Sequence, residues 1–255
     1  MSIKNLLAGL FGLFGGGGTE VSYSKVYAYL TCPMRFKLLY EDGKFVQPTG
    51  PISLGHSVHR ALQDFHSNKY DGLQDLLECF DKFWVNEGFA TPQQALDYYN
   101  KGCRMLENYW NAARDMKSEI LFVEKNFSFH LGRHSVRGII DRIDRHPDGT
   151  YEVIDYKTHN EIWNKDRIDS DLQLSVYALA CKECLGFEPE MLTLYFLAHG
   201  QKLVSARSGE QLAAARKTIA SVADKIVRKD YTPNLAKCKG CELRNSCPKY
   251  KKGGN

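Results

Sequence analysis

The spacing of apolar residues along this chain runs from helical to alternating and back to helical, and those changes divide it into elements. In "SYSKVYAYLTCP" the hydroxyl residues from Ser22 supply a helix N-cap. Val26, Tyr29 and Leu30 follow at helical spacing until Pro33 interrupts. "ISLGHSVHRALQDFH", residues 52–66, predicts a second helix, and the amphipathic runs between residues 71 and 116 predict a mostly helical insertion. From Glu119 the pattern alternates and becomes rich in β-branched and aromatic residues. Punctuated by Gly and by Pro147-Asp148-Gly149, it predicts paired strands as far as Thr158. A helix is expected over 170–185 and a strand over "MLTLYFLAH". An amphipathic helix capped by Ser208 and a loop over 231–255 with three cysteines complete the chain. No internal repeat is present.

At 255 residues, 43% hydrophobic and 25% charged, the chain can bury a sizeable core as one domain with an insertion. A net charge of +4 permits a nucleic-acid partner without arguing for one. Eight cysteines are too sparse for a disulfide scaffold; their spacing is metal-like, which favours a reducing compartment such as the cytoplasm. No apolar run reaches eighteen residues, so no transmembrane helix is expected. Residues 1–19 hold an apolar block, Leu6 to Phe14, without a cleavage site, then the flexible run Gly15 to Gly18. This segment reads as a tethered, disordered tail whose Leu and Phe side chains could dock on a partner.

The stretch "RGIIDRIDRHPDGTYEVIDYKT", residues 137–158, carries the chemistry. His146-Pro147-Asp148-Gly149 is a turn sequence. A hairpin about it, bulged at Gly149, places Asp141 opposite Asp155, with Cβ atoms roughly 4.5–5.5 Å apart. Asp155 and Lys157 are two apart and share a strand face. Two carboxylates that close repel unless one is protonated or a cation lies between them, and a divalent metal satisfies both. A lysine beside that metal can orient water or offset charge on a phosphate, the apparatus of phosphodiester hydrolysis. Charged hairpins facing solvent are also common, so the hairpin alone leaves both readings open. His59 on the early helix can supply a nitrogen ligand. Gln173 and Tyr177, at i and i+4, share a helix face from which they can hold Lys157, a water or a phosphate.

Cys238-x₂-Cys241-x₅-Cys247, with Cys32 far upstream, provides four thiolates that could hold Zn²⁺ or an iron–sulfur cluster. Either would clamp the N-terminal segment to the C-terminal tail. Cys181-x₂-Cys184 could pair with Cys238 and Cys241 instead, but it continues an amphipathic helix where cysteine is an ordinary small apolar residue. Cys79 and Cys103 read the same way.

Taken in order, Ser22-x-Ser24, Cys32-Pro33, Gly55-x₃-His59, Gly138-Ile-Ile-Asp141-Arg142, Asp155-Tyr156-Lys157, Gln173-x₃-Tyr177 and the C-terminal cysteines form one set. That set resembles the RecB-type branch of the PD-(D/E)XK nuclease superfamily. It is most similar there to the iron–sulfur members, the AddB nuclease domain and the CRISPR-associated adaptation exonucleases. The resemblance covers nearly the whole chain after residue 20. It implies an α/β, restriction-endonuclease-like fold: a mixed sheet flanked by helices, a helical insertion at about 66–118, and a four-cysteine cap made of residue 32 and residues 231–248. Residues 20–250 would then form one nuclease domain, with 251–255 a disordered tail.

The same resemblance implies His59, Asp141, Asp155 and the Tyr156 backbone carbonyl as ligands of Mg²⁺ or Mn²⁺. It further implies Lys157 as the catalytic lysine, Gln173 and Tyr177 as supporting groups, and a [4Fe–4S] cluster on Cys32, Cys238, Cys241 and Cys247, with structural Zn²⁺ as the alternative. Glu124 matches an acidic residue of some relatives. The implied activity is metal-dependent DNA hydrolysis at ends or on single strands, in repair or recombination. The alternatives are spacer trimming in CRISPR adaptation and a non-catalytic DNA-binding subunit, although the latter would be marked by loss of Asp141, Asp155 or Lys157. Asp rather than Glu opens the third motif, as in RecB and AddB. No G-x₄-G-K-[ST] phosphate loop is present, so any motor would come from a helicase partner, and an integrase is the other partner expected.

Overall fold

A computed structural model describes residues 17–114 and 116–250; the expectations for the apolar tail and for 251–255 lie outside the described residues. Six strands form one mixed sheet. The long strands β2 (Glu119–Leu131) and β3 (His134–Arg145) are antiparallel, and β4 (Tyr151–Lys157) continues the meander on the other edge of β3. The two-residue strand β1 (Glu20–Val21) lies parallel to β3 at Ser135 and Val136, beyond the end of β4. A crossover through helices α6 (Lys165–Asp169) and α7 (Leu172–Ala180) makes β5 (Met191–Phe196) parallel to β4, and β6 (Gln201–Ser205) closes the sheet as an antiparallel edge.

Each face of the sheet carries a hydrophobic core. On one side α1 (Tyr23–Thr31), α7 and α8 (Gly209–Val227) bury Val26, Leu174, Val176, Ile219 and Val222 against Ile143, Val153 and Leu194. On the other, α3 (Gly50–Ser67), α4 (Leu73–Lys82) and α5 (Pro92–Ala113) bury Leu54, Phe80, Leu106 and Tyr109 against Ile154 and Tyr195. Helices α4 and α5 complete the second core, and each such large apolar side chain contributes about 1.5–3 kcal/mol on burial. Ser22 caps α1 by accepting from Lys25 N–H, and Ser208 caps α8 in a reciprocal box with Gln211. Gly138 sits opposite Phe127 with the ring folded over it, so that an added Cβ would lie 2.6 Å from Phe127 Cζ. No larger residue fits that position without moving the ring.

Three expectations are refined. The helix over 170–185 is α7 followed by a π-turn, Cys181–Leu185, ended by Gly186 in the left-handed region. Cys181 is buried there as an apolar residue, but Cys184 is exposed with its thiol toward the Ser128 carbonyl, 3.4 Å away. The strand expected over 191–199 stops at Phe196, because Leu197–His199 forms a 3₁₀ turn and Gly200, at φ 60°, reverses the chain into β6.

Candidate active site

The β3–β4 ladder runs from Arg145↔Tyr151 to Arg142↔Ile154. Its turn is the expected one: His146 N–H donates to Thr150 O at 2.8 Å, Gly149 N–H to His146 O at 2.9 Å, and Gly149 takes φ 91°. Continued one step, the register sets Asp141 opposite Asp155. There the ladder ends, because Tyr156 N–H donates to Asp141 Oδ2 at 2.9 Å instead of to a backbone carbonyl. A side-chain carboxylate has taken the place of a ladder bond, and the open strand ends hold the polar groups.

Helix α3 brings His59 to this opening. Its Nε2 lies 3.1 Å from the Tyr156 carbonyl oxygen, to which it donates, and its Nδ1 lies 3.4 Å from Asp141 Oδ2. One turn earlier, a Cβ on Gly55 would stand 3.3 Å from Thr158 Oγ1, so glycine lets the helix close on the strand end. From β2, Glu124 joins the group: the ligand atoms of His59, Glu124 and Asp141 all lie within 4.8 Å of one another. Glu124 stands across the ladder from Asp141, between the pairs Val123↔Arg142 and Lys125↔Ile140. Its φ is 48°, in the left-handed region. A non-glycine residue in that region costs about 1–3 kcal/mol, and such strain collects at functional sites.

Burial first, and then the charge of Asp155, pushes the Asp141 carboxyl up to about 7. Burial raises Glu124 as well. The donor set, one imidazole nitrogen and buried carboxylate oxygens at ligand spacing, fits a hard divalent cation, which would keep these carboxylates ionised.

Beside this group lies a closed ring of polar contacts. Lys157 Nζ is 2.5 Å from Asp155 Oδ2 and donates to Gln173 Oε1 at 2.9 Å. Gln173 Nε2 donates to Tyr177 Oη at 2.9 Å, and Tyr177 Oη donates to Asp155 Oδ1 at 3.3 Å. The Lys157–Asp155 approach is ionic rather than a directed hydrogen bond, which leaves Asp155 Oδ2 a lone pair to offer. Burial opposes the Lys157 ammonium, but the negative charge of Asp155 outweighs it and holds the lysine protonated. Tyr177 is raised by burial and then by Asp155, so it stays a neutral donor.

All the residues singled out around the hairpin are therefore brought together. Others adjoin them that the sequence reading missed. Asp171 caps α7 through Leu174 N–H, and its pKa is raised by burial; only its place before an apolar helical run signalled it. Behind the site, Arg142 binds Asp144 through Nε (2.6 Å) and Nη2 (2.5 Å) and donates to Tyr109 Oη at 2.6 Å. Tyr109 Oη lies 3.4 Å from Tyr156 Oη, which ties the strand carrying the site to α5.

Far along the chain, Cys32, Cys238, Cys241 and Cys247 line one cavity of about 240 Å³. The tail is fastened to the N-terminal helices by Asn234, whose N–H points at Cys32 Sγ (3.3 Å) and whose Nδ2 donates to Thr31 O (3.2 Å). An Arg35–Glu242 ion pair and a small core of Met34, Leu38 and Leu243 complete the joint.

The sequence profile of the PD-(D/E)XK nuclease superfamily matches residues 20–248, which spans every element just described. The Gene 69 protein of Mycobacterium phage D29 is 26% identical over 271 residues, covering 90% of this chain and 97% of that one. The crystal structure of a protein from Eubacterium rectale, provisionally named an exonuclease, superposes with a TM-score of 0.58 at 9% identity, over 92% of this chain and 90% of that one. A match over nine-tenths of the chain, with the open hairpin at its centre, decides the relationship: this chain belongs to the PD-(D/E)XK nuclease superfamily.

Proposed function

We propose that the chain is a Mg²⁺- or Mn²⁺-dependent deoxyribonuclease of the RecB-type branch, acting as an exonuclease on DNA ends or single strands in repair or recombination. The observation that carries this reading is the convergence of His59, Glu124 and Asp141 on an open hairpin end, with Asp155 opposite Asp141 in register and beside a protonated lysine. His59, Asp141, Asp155 and the Tyr156 carbonyl are the proposed cation ligands, with Glu124 adjoining. A cation held there would supply Lewis-acid polarisation of a phosphate oxygen and a more acidic water.

The chain's own residues do the rest. Lys157 offsets charge that develops on the phosphate, and Gln173 fixes the direction of its ammonium. Tyr177 holds Asp155 in place without competing for the proton. Cys32, Cys238, Cys241 and Cys247 are the proposed ligands of a [4Fe–4S] cluster. That all four thiols line one cavity supports a single shared group there. Such a protein works in a reducing compartment, the cytoplasm, and takes any motor activity from a helicase partner, with an integrase as the other partner proposed.

The test is degradation of 5′- and 3′-labelled single-stranded and duplex DNA with Mn²⁺ or Mg²⁺ by protein purified without air. Metal-dependent release of short products from one labelled end is the expected result. Absence of any cleavage by cluster-loaded protein would sink the reading.

A pH dependence accompanies it. Asp141 has a folded-state pKa of about 7 against an ordinary value of 3.8, so between those values the folded chain holds a proton that the unfolded chain has released. Stability of the metal-free protein therefore falls as pH rises through that window and levels off above it. Divalent-ion binding must expel this proton, so affinity for Mn²⁺ rises as pH climbs toward 7. Titration calorimetry in two buffers of different ionisation enthalpy should find close to one proton released per ion near pH 6 and almost none at pH 8.5. Equal release at both would contradict the assignment to Asp141.

A further inference from the structure

Helix α1 presents a face that the fold covers only at its start, where Tyr23 is half-buried. Its buried side is Val26, Ala28 and Tyr29. Tyr23, Tyr27 and Leu30 lie together on the opposite side, with Tyr27 55% and Leu30 50% exposed. The two tyrosine rings stand 5.8 Å apart at 34°. The seven helical steps from Tyr23 to Leu30 carry this stripe about 10 Å. It begins at the reaction centre, where α1 packs on α7 and Tyr23 feels the charges of Asp171 and Asp155.

At its far end Leu30 lines a groove of about 420 Å³ between α1 and α8, which also holds Lys217, Ser221 and Lys225 and runs to Asn234 beside the cysteine cap. Both lysines are exposed, one α8 face apart at i and i+8, and neither is ion-paired among the described residues. The hollow on the other flank of Leu30 also borders α8, but it is lined by Asp166 and Asp169, the latter paired with Lys165, and by no lysine or arginine. Charge thus favours the flank that holds Lys217 and Lys225.

We infer that the α1 stripe and the α1–α8 groove form a track for the single-stranded part of the substrate, with bases stacked on Tyr23 and Tyr27 and the following phosphates held by Lys217 and Lys225. Aromatic faces in series beside a basic groove bind single strands without regard to sequence. This rests on the nuclease reading and adds to it the path by which a strand reaches Lys157.

The experiment compares wild type, Tyr27→Ala and the double variant Lys217→Gln/Lys225→Gln, all surface changes outside the hairpin site. Binding of a fluorescent oligothymidylate is measured by anisotropy without divalent metal, across a salt series. Hydrolysis with Mn²⁺ is measured on that oligomer and on the p-nitrophenyl ester of thymidine 5′-monophosphate, which is too short to reach the track. Tyr27→Ala should weaken binding roughly tenfold. The double variant should lower the slope of log affinity against log salt by about 1.4, or about 0.7 for each phosphate that a lysine no longer neutralises. Both variants should hydrolyse the short ester at the wild-type rate.

Wild-type binding and salt slope in both variants, with the wild type active on both substrates, would overturn the track alone. A wild type inactive on both substrates would remove the nuclease reading and the track with it. If Tyr27→Ala leaves oligomer binding intact but changes the sedimentation coefficient, the stripe is a contact between copies of the chain and the track is wrong.

Discussion

Replacing Lys157 with alanine is expected to lower DNA cleavage by about 10²–10³-fold, the loss typical of removing one donor aimed at developing transition-state charge. The side chain is placed for that and for little else. Its ammonium is nearly buried, held by Asp155 and aimed by Gln173. Arginine should not restore the rate, because its planar fork is longer and cannot occupy the same point. A second consequence separates the catalytic from the structural share. Without the ammonium, Asp155 is a buried carboxylate opposite another carboxylate, and a buried charge stripped of its partner costs about 3–5 kcal/mol. Lys157→Ala should therefore unfold at lower urea than wild type when metal-free, and Mn²⁺ should recover most of that difference. Cleavage should not recover. A variant that cuts DNA within a few-fold of wild type would remove the lysine from the chemistry.

That prediction could be framed from sequence because the hairpin obeys local rules. Pro147-Asp148-Gly149 fixes the turn, the turn fixes the register, and the register alone brings Asp141 opposite Asp155. Helices α1 and α8 were legible for the same reason, since a cap residue and an apolar period determine each one within its own segment, and α3 was legible from its apolar period alone. What escaped depends on contacts between segments. Strand β1 is two residues long and exists only because β3 extends past the end of β4. Strand β6, "QKLVS", carries little apolar signal as an edge and is set by Gly200 behind it. The strained backbone of Glu124 and the approach of Tyr23 to the site have no local signature at all. The acidic residue's identity was visible, but not the φ that accompanies its place in the group.

Removing one cysteine of the cap should have the largest effect on stability. The four thiols come from segments some two hundred residues apart, which are otherwise joined by the Arg35–Glu242 ion pair, the Asn234 hydrogen bonds, Tyr231 against Glu41 and Phe36, and a small core around Met34, Leu38 and Leu243. The proposed cluster would add to these the free energy of its own binding, because a site absent from the unfolded chain turns binding energy into folding energy. Protein purified without air should carry about four iron atoms per chain and absorb broadly in the visible. Cys32→Ser should lose the iron and unfold roughly 10 °C or more below wild type, given about 2–4 °C per kcal/mol for a domain of this size. Limited proteolysis should cut the variant after Lys229 and leave wild type intact, since among the described residues the chain beyond α8 forms only two short 3₁₀ turns, Leu235–Gly240 and Arg244–Ser246. Metal analysis decides the chemistry: iron supports the cluster, whereas one zinc per chain would keep the clamp and overturn its identity. If Cys32→Ser keeps its metal and its unfolding midpoint, the thiols are not ligands and the tail is held by its side chains alone.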